Sequence, residues 1–396
     1  MKKTSAPTLL MIGWALVILA LPFYVFSSGK PQPADFGLLA LFVLPAIPFF
    51  FRQTFWVGEQ TEPVRALAAF VVVVVVVNVI WSVLTSDSEF LMSTSYYIFN
   101  LFVLGAVIGW GERSGDGFVA GTGWFAAGSL ALQFVLSLVL SEQMAANRLT
   151  LFFNNPNQLA YFCLGALTLV MLAASAVPMP RWLPLVAAGL AGVLIFRSYS
   201  RAALMGVAIL LVVSLVRRPV VVISLVIAAL AAASYFELQT EDPMLEARLA
   251  PVLEGDVGDY FEDRGVERIF DHPEYVLFGA GEGLHIRFHP LALELHSSLA
   301  NVVFSYGIAA VLCMLWFAFS VTKTLPASVS SLLLPTALYG LFHNGLRFRI
   351  FWIVLGFAIV AGRAAARRKV AATAASPRAR SPVRTVSDRH VIPIPH

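Results

Sequence analysis

The side chains in this sequence best suited to chemistry are arginines, histidines and small hydrogen-bonding residues. Arg201, Arg264, Arg268, Arg197 and Arg347 carry the planar fork that matches phosphate oxygens. His296 and His343 titrate near neutral pH and suit proton transfer. Asn155, Asn157 and Ser200 are uncharged hydrogen-bonding groups. Each has a plainer reading beside the chemical one. Asn155 before Pro156 makes a good helix start, because proline has no N–H to waste there. Arg264 and Arg268 are four apart, share one helix face and lie among acidic residues that could simply pair with them. Arg197 and Arg201 flank the short turn Ser198-Tyr199-Ser200 and could snorkel to headgroups. Arg201 favours function, because it follows Ser200 on the first turn of a helix; Arg197 is evenly balanced. His296 opens a helix in His296-Ser297-Ser298, where it either moves a proton or caps the chain.

The elements that must position these residues are membrane helices. The chain has 396 residues, 59% hydrophobic and 13% charged, which is too apolar for soluble globular domains. Uncharged runs near twenty residues match a bilayer core of about 30 Å at about 1.5 Å of rise per residue. Spans are expected at 8–27, 35–51, 63–84, 91–111, 117–140, 157–177, 182–198, 201–216, 219–236, 296–320, 327–343 and 349–365. The fold class is thus an all-α polytopic membrane protein with about twelve transmembrane helices and one large outer loop containing short helices. Its divisions are a first helical block (1–236), the loop (237–295), a second helical block (296–365) and a disordered basic tail (366–396). The first span runs on through Pro22 into Tyr24 without a small-residue cleavage site and reads as uncleaved. The run Val71 to Val77 suits lipid; Trp81, Tyr96, Tyr97 and Trp110 read as interfacial anchors. In the loop, Met244–Leu253 and Asp259–Asp271 suit short helices, and the turn Gly279-Ala280-Gly281-Glu282-Gly283 leads the chain back to the membrane. That turn follows no strand and is not a dinucleotide fingerprint.

Orientation follows from Lys and Arg. With the N-terminus inside, the short inner turns collect Arg52, Arg65, Arg113, Arg181, Arg217, Arg218 and Lys323, as the positive-inside rule requires. The spans starting near 157, 201, 296 and 349 then all open on the outer side, marked by Asn155, Ser200, His296 and Arg347. Helix N-termini expose unpaired N–H groups and a partial positive charge. Four such openings with arginines and a histidine suit a membrane-anchored phosphate ester or diphosphate. The net charge of +4 is mostly a topology signal, and no soluble basic face exists for nucleic acid. Cys163 and Cys313 lie inside spans, so the outer loop has no disulfide, and no metal-ligand spacing occurs.

The strings Phe153-Asn154-Asn155-Pro156-Asn157-Gln158-Leu159-Ala160, Ser198-Tyr199-Ser200-Arg201, Leu277-Phe278-Gly279-Ala280-Gly281 and His296-Ser297-Ser298-Leu299 with Tyr306-Gly307-Ile308 resemble, in that order, the O-antigen ligase and polysaccharide polymerase superfamily. The resemblance covers roughly Asn154 to Gly307. It implies a glycosyltransferase of the bacterial inner membrane, with its site facing the periplasm and no metal, cofactor or nucleotide sugar. The expected substrate is a glycan on undecaprenyl diphosphate, passed to an acceptor sugar hydroxyl. For ligases the acceptor is lipid A core; for polymerases it is the next lipid-linked repeat. Other polysaccharide-assembly proteins are further expected partners. The resemblance assigns Arg201 and Arg264 to the diphosphate and His296 to orienting or deprotonating the acceptor. Two serines follow His296 where the family often has a nearby asparagine, and both roles stay open. Ligase and polymerase also stay open, with a lean to a polymerase of O-antigen or exopolysaccharide. The rival class is a transporter or flippase for an anionic lipid-linked substrate, which favours paired interrupted helices in internal repeats; no repeat is evident. An assembly scaffold leaves the outer arginines without a role.

Overall fold

The computed structural model describes residues 8–27, 29–51, 61–140, 144–145, 148–215, 265–288 and 294–375. Arg264, the expected span at 219–236, the expected helix Met244–Leu253 and the chain beyond 375 lie outside the described residues. Among the described residues seven helices are long and apolar enough to cross a membrane, and four shorter apolar helices accompany them. The long ones are α2 (Pro33–Phe50), α3 (Glu62–Thr85), α4 (Glu89–Ser114), α5 (Asp116–Val139), α6 (Pro156–Ala176), α11 (Ser298–Lys323) and α13 (Arg349–Ala375). The shorter ones are α1 (Thr8–Ala20), α7 (Trp182–Arg197), α8 (Arg201–Leu215) and α12 (Ala327–Phe342). Two short helices, α9 (Arg268–Asp271) and α10 (Glu274–Phe278), lie between α8 and α11 in the chain. A two-stranded hairpin, β1 (Met144–Ala145) with β2 (Arg148–Leu149), joins α5 to α6.

Helix α6 is the centre of the bundle. Its apolar window is 83% buried against 28% for α3, and it packs on α5, α7, α8, α12 and α13. Helix α3 is peripheral, but its valines do not all face outward. Val71, Val74 and Val77 are buried while Val72 and Val76 are exposed, the three-to-four-residue stripe that a 3.6-residue period imposes. Two expected anchors are also interior. Tyr97 is fully buried, and the Trp110 indole donates to the Phe42 carbonyl at 2.9 Å, inside a π-helical turn of α2. A polar ring edge in hydrocarbon must find a partner within the protein, and both do.

Boundaries shift where backbone chemistry demands it. Helix α1 stops at Ala20, well before Tyr24, because Pro22 lacks an N–H and disfavours helix in the residue before it. The chain then wraps around buried Gln32, whose Oε1 accepts from the Val25 and Phe26 amides at 2.9 and 3.0 Å. Its Nε2 donates to the Phe26 and Lys30 carbonyls at 2.9 and 3.0 Å. At the other end, α13 continues to Ala375, past the boundary expected near 365.

The feature that organises the end of the bundle where α11 begins is a kink in α11. Gly307 has φ 71° and ψ −172°, a region open to glycine alone. The break frees carbonyls of the preceding turn, and the loop fills them: the Ala280 and Gly281 amides donate to Phe304 and Ser305, both at 2.9 Å. The contact is backbone to backbone. A Cβ on Gly307 would sit 2.6 Å from the Leu277 carbonyl oxygen, and one on Gly279 2.7 Å from that of Ser305. Gly307→Ala is therefore expected to lose on the order of 1–3 kcal/mol and lower the thermal midpoint of the detergent-solubilised protein. Gly117→Ala, whose added Cβ meets nothing within 4 Å, is the control and should leave the midpoint unchanged or raised.

Candidate functional site

With the kink in place, the glycine turn is seated between α3, α4 and α11. The Trp81 indole donates to the Gly279 carbonyl at 2.9 Å, and the Glu282 amide donates to Asn78 Oδ1 at 3.0 Å. Arg287 donates to the Ala280 carbonyl at 2.6 Å and lies over the rings of Trp81 and Phe90. The turn drives Glu282 into the protein, where its carboxylate is fully buried. There Oε2 accepts from the hydroxyls of Tyr306 at 2.5 Å and Tyr97 at 3.0 Å. Oε1 accepts from Arg347 Nε and its second guanidinium nitrogen, both at 2.7 Å. Burial pushes the Glu282 carboxyl up, and the Arg347 guanidinium with the two hydroxyls outweighs it, so the group stays below the ordinary carboxylate value.

Arg347 reaches from this interior to a cavity of about 380 Å³ at the same end of the bundle. Five distant stretches of chain line it. Helix α6 contributes Asn155, Asn157 and Gln158; the approach to α11 contributes Glu294 and His296; the α12–α13 connection contributes His343, Asn344, Arg347 and Arg349. The loop after α1 adds Tyr24 and Lys30, and α4 adds Tyr96. The cavity therefore joins Asn155, Asn157, His296, His343 and Arg347, which sequence spacing alone had placed on one side.

Local chemistry explains each placement. Asn155 caps α6, its Oδ1 accepting from the Asn157 amide at 2.7 Å. Asn157 is held from two further sides: its carbonyl accepts from the Tyr339 hydroxyl at 2.9 Å, and its Oδ1 from Arg148 at 3.0 Å. Arg148, on β2, also donates to the Ser198 carbonyl at 2.8 Å, tying the hairpin and the α7–α8 turn to the cavity wall. At α11 the cap is Ser297, whose hydroxyl accepts from the Ala300 amide at 3.3 Å. His296, one residue earlier, is therefore not the cap and stands exposed at the cavity. Ser298 bridges the two blocks: its hydroxyl donates to the His343 carbonyl at 3.0 Å and accepts from the Gly345 amide at 2.8 Å. The His343 ring stacks on Tyr339, which stacks on Tyr161, with centroids 4.7 and 4.2 Å apart.

The other residues singled out by sequence lie elsewhere. Arg197 donates to the Ser137 carbonyl and hydroxyl at 3.0 and 3.2 Å, a bond between α7 and α5. Ser200 is buried, and Arg201 begins α8; neither lines the cavity. Arg268 is buried at the start of α9 beside Gly265. Sequence reasoning missed Glu282, Glu294, Lys30, Tyr24, Tyr96 and Tyr339 as members of the site. Two signals were available: Glu282 is the one acid inside the glycine turn, and Glu294 lies two residues before His296.

Electrostatically the wall is close to balanced. Arg349 pairs with Asp35 and donates to the Tyr24 hydroxyl at 3.1 Å. Arg347 pairs with Glu282 and, through Nη1, with Glu294 at 2.7 Å. Lys30 has no carboxylate within 4 Å among the described residues. No three His, Cys, Asp or Glu side chains among the described residues converge to hold a metal ion. A separate apolar hollow of about 640 Å³ lies along α3, lined by Val72, Val76, Ile80, Phe278 and Tyr306. A scan against protein-family models finds no match to this chain, and no curated protein matches it.

Behind the wall, burial pushes the His285 imidazole below its ordinary value, against the pull of Glu294 and Glu282 and with the help of Arg347 and Arg268. The unfolded chain then takes up this proton at about pH 6.5 while the folded protein does so only at lower pH. Stability is fully present above about pH 6.5 and falls as the pH drops toward the folded value. The thermal midpoint in detergent should decline between about pH 7 and pH 5, and His285→Gln should flatten that decline. An unchanged slope in the variant would assign the pH dependence to other groups.

Proposed function

We propose that this chain is a membrane glycosyltransferase that moves a glycan from a lipid diphosphate carrier, undecaprenyl diphosphate in the family it resembles, to an acceptor sugar hydroxyl. The observation that carries this reading is the convergence of Asn155, Asn157, His296, His343 and Arg347 on one cavity. Its lining is what a sugar would require. Tyr24, Tyr96 and Phe348 offer aromatic faces, and Asn155, Asn157, Gln158 and Asn344 offer amides that both donate and accept.

In the reaction, the acceptor oxygen attacks the anomeric carbon, the bond from that carbon to the diphosphate oxygen breaks, and the diphosphate leaves with the electron pair. The acceptor hydroxyl gives up its proton, for which His296 is the exposed imidazole at the cavity. Diphosphate is already a good leaving group, so the protein's work is positioning and charge stabilisation. Lys30, Arg347 and Arg349 are the cations at the wall; Arg201 and Arg264 are the further candidates that the family resemblance assigns to the diphosphate. Direct displacement inverts the anomeric centre.

A periplasmic site is supported by charge. The cavity lies where α6, α11 and α13 begin and α4 begins. Arg65, Arg113, Arg181, Lys323, Arg363, Arg367, Arg368 and Lys369 all lie toward the opposite ends of their helices, as the positive-inside rule asks of a cytoplasmic face. In whole cells, with both native cysteines replaced, Ser86→Cys should react with an impermeant maleimide and Lys369→Cys should not. Labelling at 369 alone would invert the orientation.

The chemistry is tested at His296. With purified protein and a labelled undecaprenyl-diphosphate glycan, His296→Ala should lower turnover by roughly 10²–10⁴-fold if the imidazole takes the proton. Activity retained in His296→Gln assigns it instead to orienting the acceptor. Wild-type turnover in His296→Ala removes it from the site.

A further inference from the structure

Arg347 is held by two carboxylates of opposite character. Glu282 is fully buried, fixed by Tyr306 and Tyr97 and by its own amide on Asn78, and it belongs to a turn seated on the α11 kink. Glu282 is thereby tied to α3, α4 and α11 at once. Glu294 is half exposed at the cavity wall, and Arg347 Nη1 is its one hydrogen-bonding partner among the described residues. Breaking a buried charge pair is costly, whereas an exposed pair in water is worth little.

We infer that Glu294 is the exchangeable partner of Arg347, and that the guanidinium edge it covers is a subsite for a phosphate or diphosphate group. The incoming anion takes the place of the Glu294 carboxylate on Nη1, while Glu282 keeps the Nε side fixed. The exchange replaces one charge-assisted pair by another, so the cation is never left uncompensated. Lys30 and Arg349 line the same cavity and give a second anionic oxygen a cationic wall. In the absence of ligand Glu294 neutralises the subsite; on binding it is released to solvent, two residues from His296. The inference rests on the glycosyl-transfer reading for the identity of the anion, since it supplies the group that receives the leaving diphosphate. The exchange itself stands on the geometry of the three residues.

The test reads Arg347 directly. The full chain in detergent is treated with phenylglyoxal, and modification of Arg347 is followed by mass spectrometry. Glu294→Gln should raise the rate at Arg347 by roughly twofold to fivefold, the factor an exposed salt bridge is worth. Inorganic pyrophosphate should protect Arg347 in wild type and at lower concentration in Glu294→Gln. Glu282→Gln should shift protection the other way, to higher concentration, because the guanidinium loses its anchor; Tyr306→Phe, a smaller change at the same anchor, gives the same direction if Glu282→Gln fails to fold. Protection by undecaprenyl phosphate in mixed micelles, stronger than by pyrophosphate, marks a lipid-borne ligand; the reverse order marks a free one. Equal labelling of wild type and Glu294→Gln, or no protection by either anion, overturns the inference. Failure of wild-type protein to transfer glycan defeats the proposed reaction and leaves the labelling result standing, so the two failures are distinguishable.

Discussion

An ionised carboxylate placed among membrane helices sets the terms for everything near it. Glu282 has no exposure, and water would have to be replaced at each of its oxygens for it to stay charged. The protein supplies two tyrosine hydroxyls and two guanidinium nitrogens, a set that no single helix could provide. Tyr97 comes from α4, Tyr306 from α11 and Arg347 from the connection into α13. Satisfying one side chain thus ties the first helical block to the last and aims Arg347 at the cavity. A half-satisfied buried network costs more than an apolar core, so each member constrains the others.

The backbone makes the same point. A straight α11 would present no free carbonyls to the loop, and the glycine turn would carry unpaired amides into the protein interior. The kink at Gly307 and the turn at Gly279–Gly283 each leave backbone groups open, and the two sets pair with each other. Glycine is required on both sides because the approach is closer than any Cβ allows. Irregular backbone away from water is stable only where protein groups pair it, and here the two irregularities pair with one another.

This mutual dependence explains what was legible in the sequence. Helix-forming runs announce themselves by composition, and eleven of the expected spans coincide with described apolar helices. Asn155 was readable as a cap because capping is a local rule. The grouping of Asn155, His296 and Arg347 was readable because helix direction alternates. The glycine turn was not, since its role depends on a kink that lies past the end of the loop. Tyr97 and Trp110 look like interfacial anchors in sequence; only the positions of Glu282 and the α2 π-turn make them interior. Arg197 and Arg148 show the same limit. Both are arginines at helix or hairpin ends, yet one binds a helix carbonyl and the other fixes Asn157, and no residue pattern separates them.

The charge balance of the cavity bears on how the proposed reaction could work. Two of its three cations already face carboxylates, Arg349 with Asp35 and Arg347 with Glu282 and Glu294. A wall of unpaired arginines would hold any anion tightly, including the product diphosphate, and uniform tight binding does not raise turnover. Compensated arginines hold their geometry without a ligand, so less ordering is needed when one arrives. Most of the remaining lining is neutral amide and aromatic surface, which distinguishes sugars by hydroxyl geometry and apolar face, not by charge. Under glycosyl transfer this assigns selectivity to the sugar and leaves the arginines to receive charge as it develops on the leaving group, the point at which electrostatic stabilisation acts on rate.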